Sequence, residues 1–201
     1  MKPSNKSMKR LFLYLFLILF TLKTLSWADD IRDFEIEGMS IGDSLLDYVT
    51  EEEIQTVKKF HFPNKKFAAF VKLTPESEIY DGYQVYYIAK DKTYKIHRLG
   101  GMILFKNNIN DCYKKKDEIV AELSKLFKNV RKKDLGTSKH AGDKSGKSKT
   151  SQFFYIFDNG ADISVECYDW SKEMNMTDKL AVSITSQKLR KHVDSGEAYK
   201  K

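Results

Sequence analysis

Three features of the sequence predict an α+β domain: an antiparallel sheet of six or seven strands, one long helix packed on a face of it, and an N-terminal helical pair. Short aromatic and β-branched runs, parted by turn-formers, recur on both sides of the chain's middle. A single amphipathic stripe at helical spacing lies between the two groups of runs. Two helix-capping signals stand close together ahead of the first strands.

Taken in order, Asp29 to Glu37 is a short lead-in able to form an edge strand. Ser40-Ile41-Gly42-Asp43 has the S-x-x-D form of a cap, and Ile41, Leu45, Leu46 and Val49 follow on one helical face. Thr50-Glu51-Glu52-Glu53 repeats the signal and starts a short helix with Ile54 and Val57 that must stop before Pro63. KFAAFVKL (66–73), YQVYYIAK (83–90), YKIHRL (94–99) and MILF (102–105) are then four strands of a meander, separated by Pro75, Asp81-Gly82, Asp91-Lys92 and Gly100-Gly101. Alternation sets Val85 and Tyr87 against Tyr86 and Ile88. One set packs under the helix, and Tyr86, with Tyr94 as a second candidate, faces the open side, where aromatics bind a partner or simply shield the sheet.

In NDCYKKKDEIVAELSKLFKNV (110–130), Ile119, Val120, Leu123, Leu126, Phe127 and Val130 form the one long apolar stripe, which suits a helix laid on a sheet face. Strands resume with SQFFYIF, ADISVECYDW and KLAVSITSQ, and Asp158-Asn159-Gly160 is the clearest hairpin turn in the chain. Residues 29–189 are read as one domain. Residues 131–150 are read as a flexible basic loop, with 136–150 mobile and dispensable, and residues 190–201 as a frayed polar tail.

The start of the chain points to export. Lys2, Lys6, Lys9 and Arg10 precede an unbroken apolar run, Leu11 to Leu22, and Ser26-Trp27-Ala28 offers small residues at a cleavage site, so residues 1–28 are expected to be a signal peptide cut after Ala28. The apolar run is short of the roughly 20 residues that a membrane span needs. Met8 is as serviceable a start as Met1. Of 35 Lys and Arg, five lie in this segment with none of the 28 Asp and Glu, leaving 30 bases against 28 acids. The net charge of the remainder is thus small, which argues against nucleic-acid binding. A periplasmic or secreted location is expected, and with it a disulfide between the only two cysteines, Cys112 and Cys167, two buried free thiols being the alternative.

AGDKSGKS (141–148) matches a relaxed phosphate-loop pattern, but a working loop needs a strand before it and a helix after it. Here a polar connector precedes and a strand follows, so no nucleotide binding is expected. Arg131, Lys132, Lys133, Lys139, Lys144, Lys147 and Lys149 outnumber Asp134 and Asp143 in the same region. The choice there is between a solvated insert, which is preferred, and weak contact with an anionic lipid, glycan or protein. His61, His97, His140 and His192 fall at no metal-binding spacing, and no nucleophile elbow is present. No catalytic, cofactor-binding or metal-binding residue is assigned. The expected function is a non-catalytic periplasmic binding or interaction module for an envelope protein or small ligand. A small hydrolase or transferase is the alternative.

FEIEGMSIGDSLLDYVTEEEI (34–54), DGYQVYYIAKDKTYKIHRLGGMILFKNNINDCYKKKDEIVAELSKLF (81–127), DKSGKS (143–148) and ISVECYDWS (163–171) resemble segments of a group of small exported proteins of Pelagibacter-like marine alphaproteobacteria. The resemblance spans nearly all of the chain after residue 28. It implies export and carries over no catalytic or binding residue. GMSIGDSLLD followed by a meander is more weakly similar to outer-membrane assembly lipoproteins with two helices and an antiparallel sheet. Those differ in having a lipidated cysteine and no long helix among the strands.

Overall fold

Residues 31–57, 60–106 and 108–200 are described by the structure, a computed structural model; the expected signal peptide and its cut after Ala28 lie outside them. The described residues build the expected α+β architecture. Seven strands of seven to nine residues and a two-residue strand at one edge form a single sheet in the order β3-β4-β5-β6-β10-β9-β8-β7. These are β3 (Phe60–His61), β4 (Phe67–Leu73), β5 (Gly82–Ile88), β6 (Arg98–Phe105), β7 (Arg131–Lys139), β8 (Lys149–Ile156), β9 (Asp162–Asp169) and β10 (Asp178–Thr185). Every neighbouring pair is antiparallel. A two-stranded hairpin, β1 (Glu35–Ile36) with β2 (Met39–Ser40), precedes the sheet.

The long helix, α2 (Ile109–Leu126), runs from β6 to the far-edge strand β7 and packs on β9, β10 and β6. Its stripe behaves as the spacing predicts for Ile119, Leu123 and Phe127, which are buried, whereas Leu126 is 55% exposed because it lies off the sheet-facing side. Cys112 in its first turn reaches Cys167 of β9, Cα to Cα 6.0 Å, and the two form the expected disulfide. The rest of this face is covered by the N-terminal segment: Ile36, Met39, Ile41, Leu45 and Ile54 join one apolar core with Val85, Tyr87, Leu99, Val165, Leu180 and Val182.

The helical pair is smaller than the sequence predicts. Ser44, not Ser40, caps a single 3-10 turn, Leu45–Asp47, because Asp43 is occupied by the Ser40 backbone N–H and the Tyr48 hydroxyl. The second member, α1 (Glu51–Thr56), has the predicted capping box: the Thr50 hydroxyl accepts from Glu53 N, and the Glu53 carboxylate accepts from Thr50 N.

Three expectations are corrected. Gly100-Gly101 is no turn; both residues lie inside β6, paired with Ser183 and Val182 of β10. A Cβ on Gly101 would stand 2.3 Å from the Tyr80 ring, so glycine there admits a close approach rather than a bend. The region 131–150 is no flexible loop: residues 131–139 are β7, paired along its length with β8 around a bulge at Leu135. The tail is no frayed end either. α3 (Gln187–Asp194) is capped by the Ser186 hydroxyl, and Leu189, His192 and Ala198 are buried against the sheet and the β3–β4 connection.

Candidate functional site

Each strand puts alternate residues on opposite faces, so the face away from α2 is set as soon as the apolar face is. In β9 the residues opposite Ile163, Val165 and Cys167 are Asp162, Ser164, Glu166 and Tyr168; in β10, opposite Leu180, Val182 and Ile184, they are Lys179, Ala181, Ser183 and Thr185. Arg98, Gly100 and Met102 of β6 and Gln152 and Phe154 of β8 complete this second face. α3 covers one end of it: the Arg190 guanidinium lies 4.8 Å from the Phe154 ring and 3.5 Å from Asp162, and His192 packs on Phe67 at 5.2 Å. Among the described residues no α-helix covers the remainder.

Glu166 is the centre of that open part. Its carboxylate accepts from Arg98 Nη2 at 2.6 Å, Gln152 Nε2 at 2.7 Å, Tyr168 Oη at 3.2 Å and Ser164 Oγ at 3.3 Å. Burial opposes its charge, but Arg98 and the hydrogen bonds outweigh it and hold the carboxyl below its ordinary value. Burial, and then the charge of Glu166, raises the Tyr168 phenol well above its own.

Lys179 stands beside this cluster. Its ammonium lies 5.1 Å from the centre of the Tyr168 ring and 3.5 Å from Met102 Sδ, and among the described residues no carboxylate is within ion-pair distance. Burial, reinforced by repulsion from Arg98, lowers it to about 8. Tyr168 stacks on Trp170 at 5.5 Å and 15°, and His140 meets the Trp170 ring edge-on at 4.6 Å. The Trp170 indole N–H is buried with no hydrogen-bond acceptor among the described residues. The arrangement is therefore a half-buried ammonium, a saturated carboxylate and a short aromatic ladder on a rigid sheet, suited to holding an anion attached to a flat group.

The tyrosines are divided as alternation predicts, with one exception. Tyr83 and Tyr87 are buried on the α2 side, and Tyr86 lies on the other face against Phe62, ring centres 5.6 Å apart. Tyr94 is not on the open side. It is buried against Tyr87 at 5.2 Å, its hydroxyl donating to Glu51 and accepting from Gln55.

AGDKSGKS joins β7 to β8, and it does cradle an anion, though one of its own. The Asp143 carboxylate accepts from Ser145 N, Ser148 N and the hydroxyls of Ser145, Ser148 and Ser171. The Ser148 hydroxyl and N–H lead in holding it far below the usual carboxylate range. The loop N–H groups that a phosphate would need are thus occupied, Lys147 pairs with Glu173, and a strand follows.

One serine–histidine contact appears, Ser186 Oγ to His97 Nδ1 at 3.2 Å. Ser186 caps α3 and His97 is buried, its pKa lowered to about 4 first by burial and then by Lys188 and Lys95, so the pair is built as a helix cap. Among the described residues no three His, Cys, Asp or Glu side chains group as metal ligands do, and no helix is long and apolar enough to cross a membrane.

No protein-family model matches the chain, nor does any curated protein. Among solved structures it is similar to the Ran-binding protein Mog1p of Saccharomyces cerevisiae, at 10% identity over 70% of this chain and 82% of that one, with a TM-score of 0.29. A mutant of Mog1 gives the same identity and TM-score over 70% of this chain and 83% of that one. Overlap at that level carries no conclusion about fold or function.

Proposed function

We propose that the chain is an exported, non-catalytic binding protein whose open sheet face takes a ligand bearing an anionic group. One observation carries this reading: the half-buried Lys179 ammonium has an aromatic ring and a thioether for neighbours and no carboxylate within ion-pair distance among the described residues. A partly desolvated ammonium with no anionic partner is costly, and a ligand carboxylate, sulfate or phosphate would relieve that cost. Glu166 does not serve this purpose, because four protein donors already occupy it. Export is supported by the signal-peptide pattern of residues 1–28 and by the Cys112–Cys167 pairing, since disulfides persist in oxidising compartments. The resemblance to exported proteins of Pelagibacter-like bacteria agrees with it.

Calorimetric titration with a panel of aromatic and sugar carboxylates, each paired with its uncharged alcohol, tests the binding reading. Acids should bind and alcohols should not, and Lys179→Met should weaken binding at least tenfold with circular dichroism unchanged. Equal binding by Lys179→Met, or no binding by any acid, sinks it. N-terminal sequencing of chain recovered from an envelope fraction should begin at Asp29; an intact Met1 or Met8 start in the cytosol would remove the export half of the proposal.

A further inference from the structure

The two edges of the sheet are built differently. One ends in β3, a two-residue stub. The other ends in β7, nine residues long, paired with β8 on its inner side and exposed at every position. Such an edge presents a row of unused backbone N–H and C=O groups, a template for another strand. α2 packs on β9, β10 and β6 and leaves β7 outboard of its cover.

Charge selects the occupant. Arg131, Lys132, Lys133 and Lys139 lie on β7 against the single acid Asp134, which accepts from the Gly136 N–H, and among the described residues none of the four bases is in an ion pair. The register fixes their directions: Arg131 and Lys133 stand opposite Ile156 and Phe154 and share the open face, while Lys132 stands opposite Tyr155 and shares the α2 face. The bases therefore point to both sides of the sheet. A flat anionic surface meets one side only, whereas an added strand reaches both, its alternate residues lying about 5 Å from cross-strand neighbours. A second copy of β7 would bring like charges together. Lysines on an edge also discourage indiscriminate pairing, and they do so by sign, leaving the edge open to acidic strands alone.

We propose that β7 is a docking edge for an extended acidic peptide segment of a partner, which adds as a ninth strand beside Arg131–Lys133. The Leu135 bulge ends the favourable stretch, since it breaks the register between Asp134 and Gly136.

Fluorescence anisotropy of the full chain with a labelled, capped peptide, Glu-Glu-Val-Thr-Val-Thr-Glu-Glu, reads this directly. The peptide should bind, and N-methylation of its four central residues, which keeps every charge and removes the strand-pairing N–H groups, should weaken it at least tenfold. The triple variant Arg131→Glu, Lys132→Glu, Lys133→Glu should lose binding to a similar degree, and Lys179→Met should bind as the native chain does. Equal affinity for the N-methylated peptide, loss of binding in Lys179→Met, or tighter binding to phosphatidylglycerol vesicles than to the peptide would each overturn the assignment.

Discussion

The two faces of this sheet come from the same strands and are held by different physics. Beneath α2, most of the inward residues of β5, β6, β8, β9 and β10 are apolar, and the core they form with Ile119, Leu123 and the N-terminal segment is stabilised by removing carbon from water. On the other face, the alternate residues of β9 and β10 are, apart from Ala181, charged or hydroxylated, and Arg98 and Gln152 stand beside them. An ion pair taken out of water gains little net stability over apolar side chains of similar shape. The first face therefore determines how firmly the domain folds. The second is free to be chosen for what it binds.

The largest test breaks the covered face. Replacing both Cys112 and Cys167 with Ala opens a covalent loop across 55 residues, for which chain entropy gives a loss of up to about 4 kcal/mol. Urea denaturation measures it, and a loss below about 1 kcal/mol would mean that the bridge adds little to the α2–β9 packing.

Next comes the ion pair on the open face. Arg98→Met leaves Glu166 buried with its charge and without its strongest partner, and should cost about 3 kcal/mol. Adding Glu166→Met should restore most of that loss, since two apolar groups replace two paired charges. If the double variant is as unstable as the single one, the two faces do not differ in the way described.

Gly100 and Gly101 compare the faces at adjacent positions of one strand. A Cβ on Gly101 would meet the Tyr80 ring in the apolar core, and Gly101→Ala should cost about 2 kcal/mol through overpacking. A Cβ on Gly100 would meet the Ser183 hydroxyl at 2.5 Å, which can turn aside, so Gly100→Ala should cost clearly less. Thermal melting of the two variants side by side decides it, and equal losses would count against a tighter covered face.

The smallest expected effect has the opposite sign. Asp162 is fully buried under α3, neither of its carboxylate oxygens has a hydrogen bond among the described residues, and burial, offset in part by Arg190 and Arg98, raises it to about 6. A carboxyl whose folded pKa exceeds its unfolded value near 4 destabilises the fold when charged; the penalty is absent below pH 4 and complete above about 6. Asp162→Asn should therefore stabilise the chain at pH 7.5 by about 1 kcal/mol, less than the shift alone implies because the Asn amide is itself buried where the carboxylate oxygens find no hydrogen-bond donor. The advantage over the native chain should vanish as pH falls to 4. A variant that is less stable at pH 7.5 would show that the Arg190 contact dominates.

Much of this was legible in the residue order, because it rests on neighbours. The capping box at Thr50, the stripe Ile119–Leu123–Phe127 and the alternation in ADISVECYDW each involve residues within one element, and local periodicity decides which side they show. The same alternation carried an unused signal: in β9 it sets Asp162, Ser164, Glu166 and Tyr168 on one face, a polar stripe opposite the disulfide cysteine.

What the sequence determined by itself was the class of fold, the order of its elements, the one helix able to cover a sheet, and the presence of two cysteines free to pair. Tertiary structure decided the rest, for a common reason: the partner lies far along the chain. RKKDLGTSK has little strand character of its own, yet residues 131–139 are a strand because β8 supplies their hydrogen bonds. Gly100-Gly101 resembles a turn until β10 holds it extended on one side and Tyr80 fills the space of the missing side chain. The polar end of the chain becomes α3 because Arg190 finds Phe154 and Asp162, and His192 finds Phe67, on the sheet. Arg98 and Glu166, 68 residues apart, form a site only after β10 is placed between their strands, and no local pattern could have paired them.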